Sequence, residues 1–239
     1  GGEIWRVVEA QHRISTMKLV DNPDEQETLE RLLEAGKPPV PAECRHLHWL
    51  LFTPFRYEAR SDSRFRRQGR TPPVFYAAEN TDTAIAEFSF WRLLFLIESP
   101  DTPWPRNPSE ATAFSVRYDT AKCLDLTAPP YDGRPDDWRH PTDYTATHAV
   151  ADEARALDCG AIRSWSARAR SGDGQKEGNI SLLSCAAFRD HVPLQAQSWH
   201  VLLHPAGISA RCETPKCDLY FDRAYFGRDP RVAALNWDR

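Results

Sequence analysis

A single α+β domain spanning residues 1–239 is the fold class this sequence predicts, and three observations predict it. Short apolar runs that alternate, or that are closed by proline and turn residues, read as strands. Longer segments with a capping residue and apolar positions three and four apart read as helices. No internal repeat or linker-like stretch divides the 239 residues, of which 41% are hydrophobic and 11% aromatic, an ordinary composition for one globular core.

Ile4-Trp5-Arg6-Val7-Val8 predicts the first strand. Pro23, Asp24 and Glu25 open a helix that turns Leu29, Leu32 and Leu33 inward and ends at Gly36 and Pro38-Pro39. RHLHWLLFTPFRY reads as a buried connector stopped by Pro54, with His46 and His48 as satisfied imidazoles beside a core stripe. Val74 to Ala78, between Pro72-Pro73 and Asn80-Thr81-Asp82, is a short buried strand with Tyr76 at its middle. Asn80 or Thr81 caps the next helix, which starts near Thr83 and carries Ala84, Phe88, Trp91 and Phe95 at helical spacing.

Further along, the proline-rich SPDTPWPRNPSE is a loop, Thr112, Phe114 and Val116 alternate in a strand, and Lys122 to Leu126 offers that strand a partner. A second loop runs from Ala128 to Pro141 and carries Trp138. Asp143 caps a helix over YTATHAVADEARAL that Gly160 closes, with His148 as a structural residue. Ala161 to Trp165 and Ile180 to Ser184 form a hairpin around the polar SARARSGDGQKEGN tip, and strands at Trp199 to Leu203 and around Leu219 to Phe221 complete the chain.

Charge and composition remove several function classes. The net charge of −4 gives no global positive field for nucleic acid, so direct nucleic-acid binding is not expected and the arginine cluster is a local anion site. No run reaches the roughly 18 apolar residues a membrane helix needs, and the first residues lack a basic region before an apolar one. A cytoplasmic protein is therefore expected, with its six scattered cysteines reduced. His200, His204, Cys212 and Cys217 hint at zinc, but a strand through SWHVLLHP would hold the two imidazoles about 13 Å apart. No metal is expected.

Chemistry concentrates between Arg56 and Arg92. Glu87 sits about two turns into its helix, and the neighbours three and four residues away, Thr83, Ala84, Phe90 and Trp91, include no cation. A carboxylate among apolar residues needs a partner from elsewhere, and Arg60, Arg64, Arg66, Arg67 and Arg70 are the nearest rich source. A strand tyrosine, a helix glutamate and an arginine loop suit an anionic, aromatic-containing substrate with a cationic transition state, and NAD+ is such a molecule. Neither a Gly-x-Gly-x-x-Gly nor a Walker-type loop is present, so hydride transfer on a dinucleotide-binding fold and P-loop phosphoryl transfer lose their signatures.

PFRY, SRFRRQG, VFYAAENTDTAIAEFSFWR and IRSWSARA with Asn179 downstream together resemble, in order, the RES-domain toxins over residues 56–179. The resemblance implies an ADP-ribosyltransferase-like split β-sheet core flanked by helices. It implies NAD+ as substrate, with ADP-ribose passed to a cellular protein, or the nicotinamide bond broken by water or phosphate in a glycohydrolase or phosphorylase. It also implies a helix-turn-helix, Xre-type antitoxin that covers the active site. Carried over by position, the catalytic residues are Arg64, Tyr76 and Glu87, and the NAD+-binding residues are Arg56, Arg64, Tyr76, Ser166 and Arg168. Ser164-Trp165 stands where the family has tyrosine and proline, so Ser164 rivals Ser166, and Arg56 is the alternative to Arg64. A silent nucleotide-binding module and a ribonuclease using His46, His48 and an arginine are the rival readings.

Overall fold

The computed structural model describes residues 1–10, 14–17, 19–69, 72–168 and 178–238. In chain order the elements are β1 (Gly2–Glu9), α1 (Ile14–Met17), α2 (Pro23–Ala35), α3 (Trp49–Arg56), β2 (Phe75–Ala78), α4 (Thr81–Glu98), β3 (Ser109–Tyr118) and β4 (Cys123–Asp125). There follow α5 (Pro135–Arg139), α6 (Thr145–Ala156), β5 (Ala161–Trp165), β6 (Gly178–Leu182), β7 (Gln195–His204), β8 (Gly207–Cys212), β9 (Cys217–Asp222) and α7 (Pro230–Ala233).

The strands form one mixed sheet in the order β4-β5-β6-β2-β1-β3-β7-β8-β9, flanked by helices, which is the α+β class expected. Its halves meet along a thin seam. β1 pairs with β3 over eight register positions but with β2 at Trp5↔Ala78 alone. The sheet nevertheless continues across this seam as a single one flanked by helices.

Strand alternation sorts the core into two faces. Phe114 and Val116 of β3, Phe75 of β2 and Ile180 of β6 pack with Leu51 and Phe55 of α3 on one face. Ala111 and Ala113 of β3 and Trp199, Val201 and Leu203 of β7 pack on the other with Ile85, Phe90 and Leu93 of α4. On that same side Ile162 of β5 packs with Val150, Ala151 and Ala154 of α6. The α4 start matches expectation, with the Asn80 side chain accepting from the Thr83 amide at 2.8 Å. Asp82 stands in the favourable first turn.

Several local readings are corrected. Leu32 and Leu33 of α2 are 63% and 51% exposed, because that helix packs mainly against α1, with an ion pair from Glu34 to Arg56 of α3, and buries no residue of its own. The connector around Pro54 is helical: α3 tolerates the proline two residues from its end, capped at its start by His48, whose ring nitrogen accepts from the Leu50 amide at 3.2 Å. On α4 the inward face runs through Ile85, Phe90 and Leu93, leaving Trp91 and Phe95 50% and 62% exposed. β4 pairs in parallel with β5 and not with β3, because β7 already occupies the outer edge of β3. α5 interrupts the loop from 128 to 141. Asp158, with φ of 54°, takes the left-handed turn after α6 that Gly160 was expected to supply.

The reduced-thiol expectation also fails at one pair. Cys44 and Cys185 are joined in a disulfide with Cα atoms 5.5 Å apart, linking two 3-10 turns behind α3. The hairpin between β5 and β6 forms as expected, and its tip at 169–177 lies outside the described residues. No described helix is long and apolar enough to cross a membrane.

Candidate active site

A cavity of about 340 Å³ opens where β1 and β2 part, between the arginine loop, α4 and the sheet. That size suits a small-molecule site. Its floor is a face of three paired strands. Ser164 of β5 stands opposite Asn179 of β6, and Asn179 opposite Ala78 of β2, with Ile162, Ser181 and Tyr76 forming the next row. The alternate residues Ala161, Ile180 and Leu182 fill the core behind, so small and polar side chains are left facing the cavity.

α4 carries Glu87 onto this floor. Its Oε1 accepts from Ser166 Oγ at 2.6 Å and from Asn179 Nδ2 at 2.8 Å. Among the described residues, the remaining polar contact of the carboxylate is Arg168 Nε, 4.0 Å from Oε2. The cation sought in the arginine cluster is therefore Arg168, because the strand end carrying it passes directly beneath α4. Arg64 influences Glu87 through its charge without touching it.

The arginine loop is pinned from behind. Tyr76 Oη lies 2.9 Å from Ser63 Oγ and accepts from the Phe65 amide at 3.1 Å. Burial pushes the Tyr76 phenol above its usual pKa, against the opposing pull of Ser63, Phe65, Arg66 and Arg64, so it stays neutral at physiological pH. His148 holds the carbonyl of Ser63 at 2.9 Å, the structural role expected of it, and Arg155 donates to the Phe65 carbonyl at 2.8 Å. Arg64 donates to the carbonyls of Trp138 and His140 and lies 5.5 Å from the Tyr144 ring centroid. Burial draws its pKa below the usual guanidinium value, with the charge of Glu87 opposing.

Four arginines line the cavity: Arg6, Arg64, Arg66 and Arg168. Arg6 sits at the seam, donates to the Tyr76 carbonyl at 2.7 Å and lies over Phe75 at 4.9 Å. Burial first, and the like charge of Arg66 second, pull its pKa down to about 10. Nε of Arg6, Arg66 and Arg168, Oγ of Ser164 and Ser181, and Oδ1 of Asn179 are buried without a hydrogen-bond partner among the described residues. Each such group costs about 1–3 kcal/mol when left unpaired, and a ligand offering anionic and hydroxyl oxygens would recover it.

Of the residues singled out from sequence, Arg64, Tyr76, Glu87 and Arg168 converge on this cavity, and Ser164 lines it too. Ser166 lies just behind, fully buried against Glu87. Arg56 does not join them. It belongs to α3 on the opposite face of the sheet, where it ion-pairs Glu34 at 2.6 Å and donates to the Pro38 carbonyl. His46 and His48 are also elsewhere: the His46 ring meets His191 at 4.7 Å and His48 caps α3. Arg67 ion-pairs Asp152 at 2.7 Å outside the cavity, and Arg70 lies outside the described residues. Arg6 was missed, although a lone arginine inside the otherwise apolar IWRVV strand was a legible signal.

No three His, Cys, Asp or Glu side chains gather in metal-holding geometry among the described residues. His204 instead contacts Ser209 Oγ at 3.2 Å and stacks on Tyr220.

Comparison with known proteins gives one strong result. The family model described as the RES domain matches residues 40–204. No curated protein matches the chain. Among solved structures, the crystal structure of the M. tuberculosis MbcT-MbcA toxin-antitoxin complex is similar at 14% identity and a TM-score of 0.41, covering 56% of this chain and 69% of that one.

Proposed function

This chain belongs to the RES-domain family, and on that premise we propose that it is the toxin of a toxin–antitoxin pair and breaks the nicotinamide–ribose bond of NAD+. The single observation that carries the reading is Glu87, held by two donors through Oε1 while Oε2 has no hydrogen bond among the described residues, in a cavity lined by four arginines. A fixed carboxylate beside the scissile bond stabilises the oxocarbenium-like charge that develops as nicotinamide leaves. Arg64, with Arg6 and Arg66 beside it, neutralises the pyrophosphate. Tyr76 and Trp91 offer flat rings to nicotinamide, and Ser164 offers a hydroxyl to the ribose or the amide.

ADP-ribose then passes to an acceptor, and we assign a cellular protein as that acceptor, with water or phosphate as the alternatives. A cytoplasmic setting and an Xre-type helix-turn-helix antitoxin covering the cavity complete the proposal. No metal is assigned to the reaction.

The test is NAD+ consumption by the purified chain, with products separated by chromatography. Nicotinamide should appear, and Glu87→Ala should release it about 100- to 1000-fold more slowly in a protein that still folds, at a melting temperature lowered by the loss of the Ser166 and Asn179 hydrogen bonds. Wild-type turnover in a folded Glu87→Ala protein would remove Glu87 from the reaction. Absence of nicotinamide release from the wild type, with cell extract supplied as acceptor, would remove the reaction itself. Mass spectrometry that finds free ADP-ribose but no modified protein would assign water as the acceptor.

A further inference from the structure

Asp229 is a carboxylate 1% exposed, and it lies beyond the 40–204 family match. It caps α7 and accepts from the Arg231 amide at 3.0 Å, from Arg231 Nε at 2.9 Å and from Arg231 Nη2 at 2.7 Å. Its fourth donor is Arg168 Nη1 at 3.2 Å, so this C-terminal turn reaches the guanidinium beneath Glu87. Burial alone would raise the Asp229 pKa, but the Arg231 hydrogen bonds and both guanidinium charges hold it below the usual value.

Arg168 is 7% exposed, and its guanidinium carbon lies 3.4 Å from the centroid of Phe90, one turn after Glu87 on α4. Arg231 approaches the same ring at 5.5 Å. Two carboxylates therefore compete for Arg168, Asp229 at 3.2 Å and Glu87 at 4.0 Å. The nearer one holds it. An unrestrained arginine–carboxylate pair closes to about 2.7–2.9 Å and is commonly bidentate, so Arg168 stands about an ångström short of capturing Glu87.

We propose that Asp229 is a positioning residue: by holding Arg168 through Nη1, it keeps the guanidinium from closing onto Glu87 and leaves Oε2 free for the positive charge of the transition state. The inference rests on the NAD+-cleaving reading above and adds to it a restraint supplied from outside the matched segment. Without the Asp229 charge, Arg168 pairs fully with Glu87. The carboxylate is then neutralised by a permanent partner at the moment its charge is needed.

The experiment compares the full-length wild type with Asp229→Asn, Arg168→Gln and the double variant, reading kcat, KM for NAD+ and melting temperature. Asp229→Asn keeps the side-chain shape and a cap acceptor, and its kcat should fall about 10- to 100-fold with KM nearly unchanged. The double variant should be no slower than Arg168→Gln alone, because the loss acts through Arg168. Wild-type kcat in folded Asp229→Asn, or losses that multiply in the double variant, would overturn the proposal. Asp229→Ser, also a good cap without charge, is the second variant with the same expectations, and failure of both to fold would overturn it by making Asp229 purely structural. An inactive wild type removes the NAD+ reading and this inference together, whereas an active wild type with indifferent Asp229 variants removes the inference alone.

Discussion

Replacing Ser166 and Ser164 in turn by alanine should move stability in opposite directions. Ser166 Oγ donates to Glu87 Oε1 at 2.6 Å and accepts from the Arg168 amide at 3.0 Å. Ser166→Ala removes a hydrogen bond to a charged group and orphans a buried amide, a loss of about 1.5–3 kcal/mol. At about 2–4 °C per kcal/mol for a chain of this size, the melting temperature should drop by roughly 3–12 °C. Glu87 then keeps Asn179 as its hydrogen-bond donor among the described residues, and kcat should fall about 10- to 100-fold as the carboxylate loses its orientation.

Ser164 Oγ is buried and makes no hydrogen bond among the described residues. Ser164→Ala removes an unpaired group, so the melting temperature should hold or rise slightly. KM for NAD+ should rise about tenfold if this hydroxyl pairs with the substrate. Thermal melts and steady-state kinetics on the three proteins decide it. A Ser166→Ala protein that melts and turns over like the wild type would refute the claim that this hydrogen bond orients Glu87.

Arg56→Ala should leave KM for NAD+ within about twofold of wild type, because this guanidinium is engaged by Glu34 and Pro38 on the far side of the sheet, and its partner Glu34 is mostly exposed. A large KM effect would return Arg56 to the site. Cys185→Ser should cost about 2–4 kcal/mol of stability, since the bond to Cys44 closes a sequence separation of 141 residues, and non-reducing against reducing melts of the wild type should show the same gap. The Asp190 carboxyl, gripped by Arg117 through Nε at 2.9 Å and Nη2 at 2.8 Å, is held below the usual 3.8. A depressed carboxylate adds stability that is present above its unfolded pKa and lost as pH falls through the folded one. The melting gap between wild type and Asp190→Asn should therefore be full at neutral pH and close below the ordinary carboxylate range.

Local sequence was enough for β1, β2, the α4 cap and the β5–β6 hairpin, because each is set by short-range chemistry: alternation, proline punctuation, or an Asn80 oxygen reaching an amide three residues on. It was also enough to single out Glu87, since a carboxylate with no cation three or four residues away on an apolar helix demands a distant partner. Tyr76, Arg64 and Arg168 came with the ordered motifs.

What the sequence could not decide was which distant groups meet. Glu87 finds Arg168, Ser166 and Asn179, which follow it by 79 to 92 residues, whereas residues 61–66 of the arginine loop form a wall of the cavity without a hydrogen bond to Glu87. Arg56 and Arg64 are eight residues apart in the chain yet lie on opposite faces of the sheet, because α3 packs on one face and the loop after it crosses to the other. The disulfide partner of Cys44, the parallel pairing of β4 and the reach of Asp229 beneath Glu87 are likewise tertiary outcomes. Residue type and spacing determine what a segment can do over one or two turns. Only the packing of the sheet determines which charges share a cavity, and therefore which of them must be neutralised there.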